Sequence, residues 1–243
     1  MIYDIPHSNT RSTTSRVGQL DKFQGTGIMF SDDYIIRMVR QATAVLASII
    51  GLKSTGRYQE ALQDIDQALE QLLGMDTKLI RLLDDDSLYK TLTKNDVLDL
   101  EKLGFLADLF KEEGDIQKLQ NQNNESINCY LRSLNYYLMI SINSEASHSI
   151  ELSQKIDELL QKLEPSKLEE KTLLNLFCYY ENTGEFAKAD NILSKLVARN
   201  NSAANAIDDR RSFYKRLMKK SREELAAGGM SRAQIRNKLN DLE

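Results

Sequence analysis

Histidine, the usual general base and metal ligand, is nearly missing from this chain: only His7 and His148 occur. His7 lies in a Ser/Thr-rich N-terminal stretch and His148 in the polar run Ser144-Glu145-Ala146-Ser147, so neither sits in a catalytic pattern. Cysteine is as scarce. Cys129 and Cys178 are 49 residues apart, match neither a metal knuckle nor a redox CxxC pair, and read as small apolar residues. Two prolines, 11 glycines and no tryptophan, set against heavy use of Leu, Glu, Lys, Asp, Asn and Gln, argue against sheet and for helix. No apolar run approaches the roughly 20 residues of a membrane span. The N-terminus has no basic start followed by an apolar core, so a cytoplasmic protein is expected.

Catalytic signatures are missing too. There is no phosphate-cradling Gly-Lys-Ser/Thr loop, no Gly-x-Ser-x-Gly elbow and no His-Glu-x-x-His helix, and Gly25-Thr26-Gly27 is too short for a nucleotide loop. Asp84-Asp85-Asp86 lacks the alternating acids, central glycine and terminal glutamate of a calcium loop and reads instead as a helix-capping cluster. Glu112, Glu113 and Asp115 read as the solvated acidic face of a helix. A non-enzymatic protein without cofactor or metal is the expectation.

What is present is charge, unevenly spread, and helical periodicity. The net charge is -4; residues 1–28 hold 3 basic and 2 acidic side chains, residues 29–204 hold 19 and 28, and residues 205–243 hold 10 and 6. An acidic body repels phosphate backbones, so any nucleic-acid contact falls to the basic C-terminal segment. Residues 1–28, rich in Ser, Thr, Gly and Asn, read as a flexible arm, and Met29 as an alternative translation start.

From Ser31, read as an N-cap, Ile35, Val39, Ala42, Leu46 and Ile49 repeat at helical spacing, beside a second stripe of Tyr34, Met38, Val45 and Leu52. An arc that wide calls for more than one covering neighbour. Ala61, Leu62, Ile65, Ala68, Leu69 and Leu72 mark a returning helix ended by Gly74. Short helical pieces fill residues 76–95. Asp96 or Asp99 caps a long helix broken at Asn121-Gln122-Asn123-Asn124, and its partner carries Tyr130, Leu134 and Tyr137. A linking helix stops at Pro165, a third hairpin turns at Thr183-Gly184-Glu185, and a basic helix with an apolar seam is predicted from about Asn205 to Ala227, followed by a short helix capped by Ser231.

Three turns align: Gly56, Tyr58 and Ala61; Asn121, Asn123 and Ser126; Gly184, Phe186 and Ala189. Their spacings of 65 and 63 residues are about twice the ~34-residue tetratricopeptide period. These residues resemble the tetratricopeptide repeat, with Ala68 in the first hairpin, Gly114, Tyr130 and Ser133 in the second, and Leu196 in place of a second alanine in the third. Residues 29–142, including FSDDYIIRMVRQ, GRYQEALQDIDQALEQLLGM and LADLFKEEGDI, are also similar to a bacterial family of small tetratricopeptide-like proteins without assigned function. The resemblance implies an all-α fold of antiparallel helical hairpins stacked as a short tetratricopeptide-like α-solenoid over residues 29–199, with residues 200–243 as a basic cap or tail.

Such arrays take a protein or peptide on the face lined by the first helix of each hairpin. By the family spacing those positions are Thr43, Leu46, Ala47 and Ile50; Asp108, Lys111, Glu112 and Asp115; and Lys171, Leu174, Asn175 and Cys178. Only Lys171 and Asn175 match a clamp for a peptide carboxylate, so that clamp is not expected. Arg211, Lys215, Lys219 and Arg222 recur on one face of the predicted basic helix. The expected function is therefore a protein-interaction scaffold, binding a partner or itself, with a nucleic-acid-associated regulator acting through those four cations as the alternative. Membrane binding is not expected.

Overall fold

The computed structural model describes residues 28–95, 97–144, 149–164, 167–199 and 203–242. The predicted arm, Gly25-Thr26-Gly27, His7, His148 and Pro165 lie outside them. By contacts the chain divides into residues 1–38 and residues 39–243. Of the first unit only residues 28–38 are described, as helix.

Among the described residues the fold is helical: α1 (Ile28–Ser54), α2 (Tyr58–Leu73), α3 (Thr77–Leu82), α4 (Asp85–Leu92), α5 (Leu100–Leu119), α6 (Asn123–Asn143), α7 (Ile150–Lys162), α8 (Glu170–Asn182), α9 (Phe186–Arg199), α10 (Ala203–Leu217), α11 (Arg222–Ala227) and α12 (Arg232–Asn240). One two-stranded antiparallel ribbon, β1 (Thr93–Lys94) and β2 (Val97–Leu98), was not foreseen. It turns through Asn95 at φ 50°.

The three aligned turns share one geometry. Gly56 has φ 76°; Arg57 N donates to Leu52 O and Gly56 N to Lys53 O. Asn121 has φ 61°, with Gln122 N on Gln117 O and Asn121 N on Lys118 O. Gly184 has φ 78°, with Glu185 N on Tyr180 O and Gly184 N on Glu181 O. Each is a Schellman close, in which a left-handed residue returns two amides to the last helical carbonyls. In each, the next helix begins two residues later. A fourth copy ends α11: Gly229 has φ 77°, Met230 N meets Leu225 O and Gly229 N meets Ala226 O.

Helix starts follow side-chain chemistry. Asp76, Asp84, Asp99 and Ser149 each accept an amide of the first turn, so Asp84 caps α4 as the aspartate run suggests. α1 begins at Ile28, three residues before the predicted cap Ser31.

α5 is the central helix. It is antiparallel to α6, since Tyr137 reaches Asp108 while Tyr130 reaches Asp115. α2 packs on α5, α6 on α7 and α8, α8 on α9, and α9 on α10. Leu103, Leu106, Leu109, Ile116, Leu134 and Leu138 are fully buried there, each contributing about 1.5–3 kcal/mol of burial.

Three expectations are corrected. The covered arc of α1 narrows within residues 39–54: Ile49 is buried and Val45, Leu46 and Leu52 pack on the core, but Val39 and Ile50 are 48% and 47% exposed. Ile150 of the linking helix and Leu82 of the short pieces, whose helical spacing as apolar residues predicts burial, are 75% and 83% exposed. The basic helix predicted across residues 205–227 is two helices. α10 ends at Leu217, and Ser221 with Glu224 forms a capping box that opens α11 at Arg222.

Candidate functional site

The residues assigned to repeat packing are mostly buried. Ala61 and Ala189 have no exposed surface and Ala68 has little, Phe186 is buried, and Tyr58 is half-buried against the core. Ser126 and Ser133 replace alanines without opening a gap. Ser133 Oγ donates to Ala107 O at 2.8 Å, tying α6 to α5, whereas Ser126 is buried beside Tyr130 of its own helix.

α5 carries Asp108, Lys111, Glu112 and Asp115 at a spacing that presents them on one side. The expected solvated face is instead an ion-pair seam. Lys53 of α1 bonds Glu112 at 2.5 Å and Asp115 at 3.0 Å, Lys162 of α7 bonds Asp115 at 2.7 Å, and Lys155 of α7 bonds Asp108 at 3.0 Å. Lys111 lies between Glu112, Asp115 and Glu158 at 3.2–3.4 Å. Burial alone would raise the Asp115 carboxyl, but hydrogen bonds from Lys162, Tyr130 and Lys53 and the charge of Lys111 hold it well below the usual range. Burial lowers Lys53, yet its bonds to Glu112 and Asp115 leave it raised overall. These groups answer one another, and so the seam is structural.

Glu112 and Glu113 are the clearest correction, at 6% and 4% exposed. α5 is flanked by α2 and α6 and tied to α1 and α7, so no solvated face remains at Glu113. Glu113 Oε1 accepts from Arg81 at 2.9 Å, while its Oε2 is buried without a partner. One turn on, Gln117 Oε1 is buried and unpartnered too. Burial raises the Glu113 carboxyl above its ordinary value despite the Arg81 charge.

Both residues line a cleft of about 640 Å³ where the α3–α4 link, α5, α6 and the start of α8 converge, a size suited to a ligand or a peptide side chain. Its walls are built from answered groups. Arg132 of α6 donates to Leu83 O at 3.1 Å, stands 3.4 Å from Asp85 and lies over the Phe110 ring at 4.4 Å. Asn135 Nδ2 donates to Asp85 at 3.0 Å, and Thr172 Oγ1 donates to Asn135 Oδ1 at 2.9 Å. Lys171 pairs with Asp86 at the rim.

Six carboxylates and three cations line the cleft, and each cation is already paired within the chain. Cys129 also lines it, its thiol pushed up to about 12 by burial, which makes it a poor nucleophile. Among the described residues no group of three or more His, Cys, Asp or Glu could hold a metal ion, and no helix is long and apolar enough to cross a membrane.

Of the candidate partner-binding residues, Lys171 enters the cleft wall and Asn175 does not; Asn175 Nδ2 is buried without a partner. The four C-terminal cations do not share a helix face. Arg211 and Lys215 lie on α10, Lys219 in the turn, and Arg222 at the start of α11. Arg211 bonds Asp208 and Leu242 O, while Lys215, Lys219 and Arg222 are exposed and make no side-chain bond among the described residues.

The apolar side of this segment is not free. Phe213, Tyr214 and Leu217 are buried, Phe213 meets Phe177 of α8 edge-on at 5.2 Å, and Arg216 grips Glu181 through two bonds of 2.7 and 2.8 Å. Sequence reasoning placed Glu113 on a solvated face and missed Gln117 and Arg132. The available signal was Arg132 set among the apolar Tyr130, Leu131 and Leu134.

Residues 29–243 match the model of a family described as a family of unknown function, DUF6483. No curated protein and no solved structure matches the chain.

Proposed function

The chain belongs to the family of unknown function DUF6483, which assigns it no activity, and we propose from its geometry that it is a non-enzymatic protein-interaction scaffold built as a short tetratricopeptide-like solenoid. The observation that carries this reading is the order of packing. α2 stacks on α5, α6 on α8 and α9 on α10, so each returning helix meets the first helix of a later hairpin, as nearest-neighbour arrays require. The three Schellman turns supply the repeated joint. In this reading the C-terminal segment caps the array through Phe213, Tyr214 and Leu217.

The partner docks at the cleft where α4, α5, α6 and α8 meet. Its buried acceptors lack donors, and a buried polar group without a partner costs about 1–3 kcal/mol. A cytoplasmic setting agrees with two unbridged cysteines, Cys129 and Cys178.

The test is a quantitative pull-down from the protein's own cells. Charge reversal at the exposed rim, Glu125→Lys with Asn128→Arg, removes a partner that Lys215→Ala, Lys219→Ala and Arg222→Ala together retain. Retention of every partner by the rim variant overturns the assignment of the cleft.

Lys215, Lys219 and Arg222, exposed and unpaired among the described residues, favour one second reading, contact with nucleic acid. A gel shift with wild-type protein that disappears on alanine substitution of these three and Arg211 supports it. An unchanged shift removes it.

A further inference from the structure

α5 presents Glu113 and Gln117 one turn apart, and although the Gln117 side chain bonds the Glu113 carboxyl, one oxygen of each is left without a donor among the described residues. Glu113 Oε2 and Gln117 Oε1 are both acceptors, both buried and both without a donor, on residues lining the same cleft. Glu113 is only 4% exposed. Buried side-chain oxygens are nearly always paired, so two at adjacent positions of one cleft mark a missing group that donates hydrogen bonds.

The surroundings fix the sign of that group. The cleft has six carboxylates to three cations. Arg81 is spent on Asp66 at 2.7 Å and Glu113 at 2.9 Å, Arg132 on Asp85 and the carbonyl of Leu83, and Lys171 on Asp86. Glu125 and Glu169 line the cleft and have no side-chain partner among the described residues. The deficit is therefore of positive charge, and the acids are not grouped to hold a metal ion.

Geometry selects among organic cations. One carboxylate oxygen and one amide oxygen, on residues one helical turn apart, suit a planar donor that can reach both. A guanidinium offers five N–H groups in a rigid fork, whereas an ammonium is a compact point donor that keeps its water more tightly. Arg132 already shows the cleft accepting this shape, stacked on Phe110 with its fork turned to Asp85 and Leu83 O.

We infer that the cleft is a binding site for the arginine side chain of a partner peptide, with Glu113 and Gln117 as the acceptors of its guanidinium. This rests on the scaffold reading and names the chemistry its partner presents.

The test uses the full chain and a blocked glycyl-arginyl-glycine peptide, followed by NMR titration, with lysine and citrulline counterparts as controls. The arginine peptide is expected to saturate and to shift Cys129 and Asn128, two of the cleft residues on α6. Citrulline keeps the shape without the charge and should bind about tenfold more weakly or worse. Glu113→Gln and, independently, Gln117→Leu should each weaken the arginine peptide severalfold, and Lys219→Ala should leave it unchanged.

Equal binding of the lysine or citrulline peptide overturns the assignment. So does unchanged arginine binding in both variants, the result expected if a protonated Glu113 donates to Gln117 and closes the site. Failure of the peptide while the rim variant still loses a cellular partner sinks the guanidinium assignment alone. Binding of the peptide by a chain with no macromolecular partner sinks the scaffold reading alone.

Discussion

Gly114 and Tyr130 occupy one point of the α5–α6 crossing: a Cβ on Gly114 would lie 2.6 Å from Tyr130 Cε1 and 3.3 Å from Cys129 Cβ. The tyrosine sets the Cδ1–Cε1 edge of its ring against the glycine and sends its hydroxyl to Asp115 at 2.8 Å, so one contact links helix packing to the ion-pair seam. Gly114→Ala gains up to about 1 kcal/mol of helix propensity but forces Tyr130 aside, at about 1–3 kcal/mol. The expected net is a loss of about 1–2 kcal/mol in urea unfolding, part of which Tyr130→Leu restores by relieving the overlap while giving up the bond to Asp115.

Gly228 is the second close approach. A Cβ there would meet Phe186 at 2.3 Å and the Gly184 carbonyl at 2.4 Å, and backbone cannot yield as a side chain can. Gly228 O also accepts from Ala187 N at 2.9 Å. Gly228→Ala should detach α11 and α12 from the third turn. Limited proteolysis is expected to cut first near residues 218–231 in the variant, while α5 and α6 stay protected from hydrogen exchange.

Arg132 holds the α3–α4 link onto α6. Its loss leaves Leu83 O without its donor and Asp85 without its cation, so Arg132→Ala should cost about 2–4 kcal/mol. Hydrogen exchange should rise over residues 77–92 before it rises elsewhere. Arg132→Lys restores only part of the loss, because one ammonium cannot stack on Phe110 and reach both acceptors.

The seam sets the pH dependence. Asp115 and Glu158 have lowered folded values, so their stabilisation is present above the unfolded carboxylate value, near pH 4, and is lost as pH falls through the folded values. Lys53 and Lys111 are raised; their contribution is present below about pH 10.4 and is lost as pH rises through their folded values. Glu113 has the opposite slope, since its raised value favours the protonated folded form. Asp115→Asn should flatten the acid limb of stability against pH. Glu113→Gln should leave that limb in place and remove a decline that sets in as pH rises through the unfolded carboxylate value near pH 4.

Much of the fold is legible in the sequence because its turns are local chemistry. Gly56 and Gly184 announce left-handed residues, and Asn121 is the commonest substitute. Asp84 and Asp99 cap as their positions predict. Ser221-x-x-Glu224 was equally readable and was hidden by the basic periodicity that runs across it. The cleft was not legible, since it depends on long-range neighbours. Glu112 and Glu113 look like any acidic helix face until α5 is flanked on several sides, and nothing near residue 113 announces that Arg81 will meet it from 32 positions away.

The most direct measurement is photo-crosslinking in the protein's own cells from a reactive residue placed at Asn128, at the cleft, and separately at Lys219, on the C-terminal segment. The scaffold account expects one protein captured from Asn128, the same protein lost from the Glu125→Lys rim variant, and its crosslinked peptide to contain arginine. Capture from Lys219 alone, or of nucleic acid in place of protein, would contradict it.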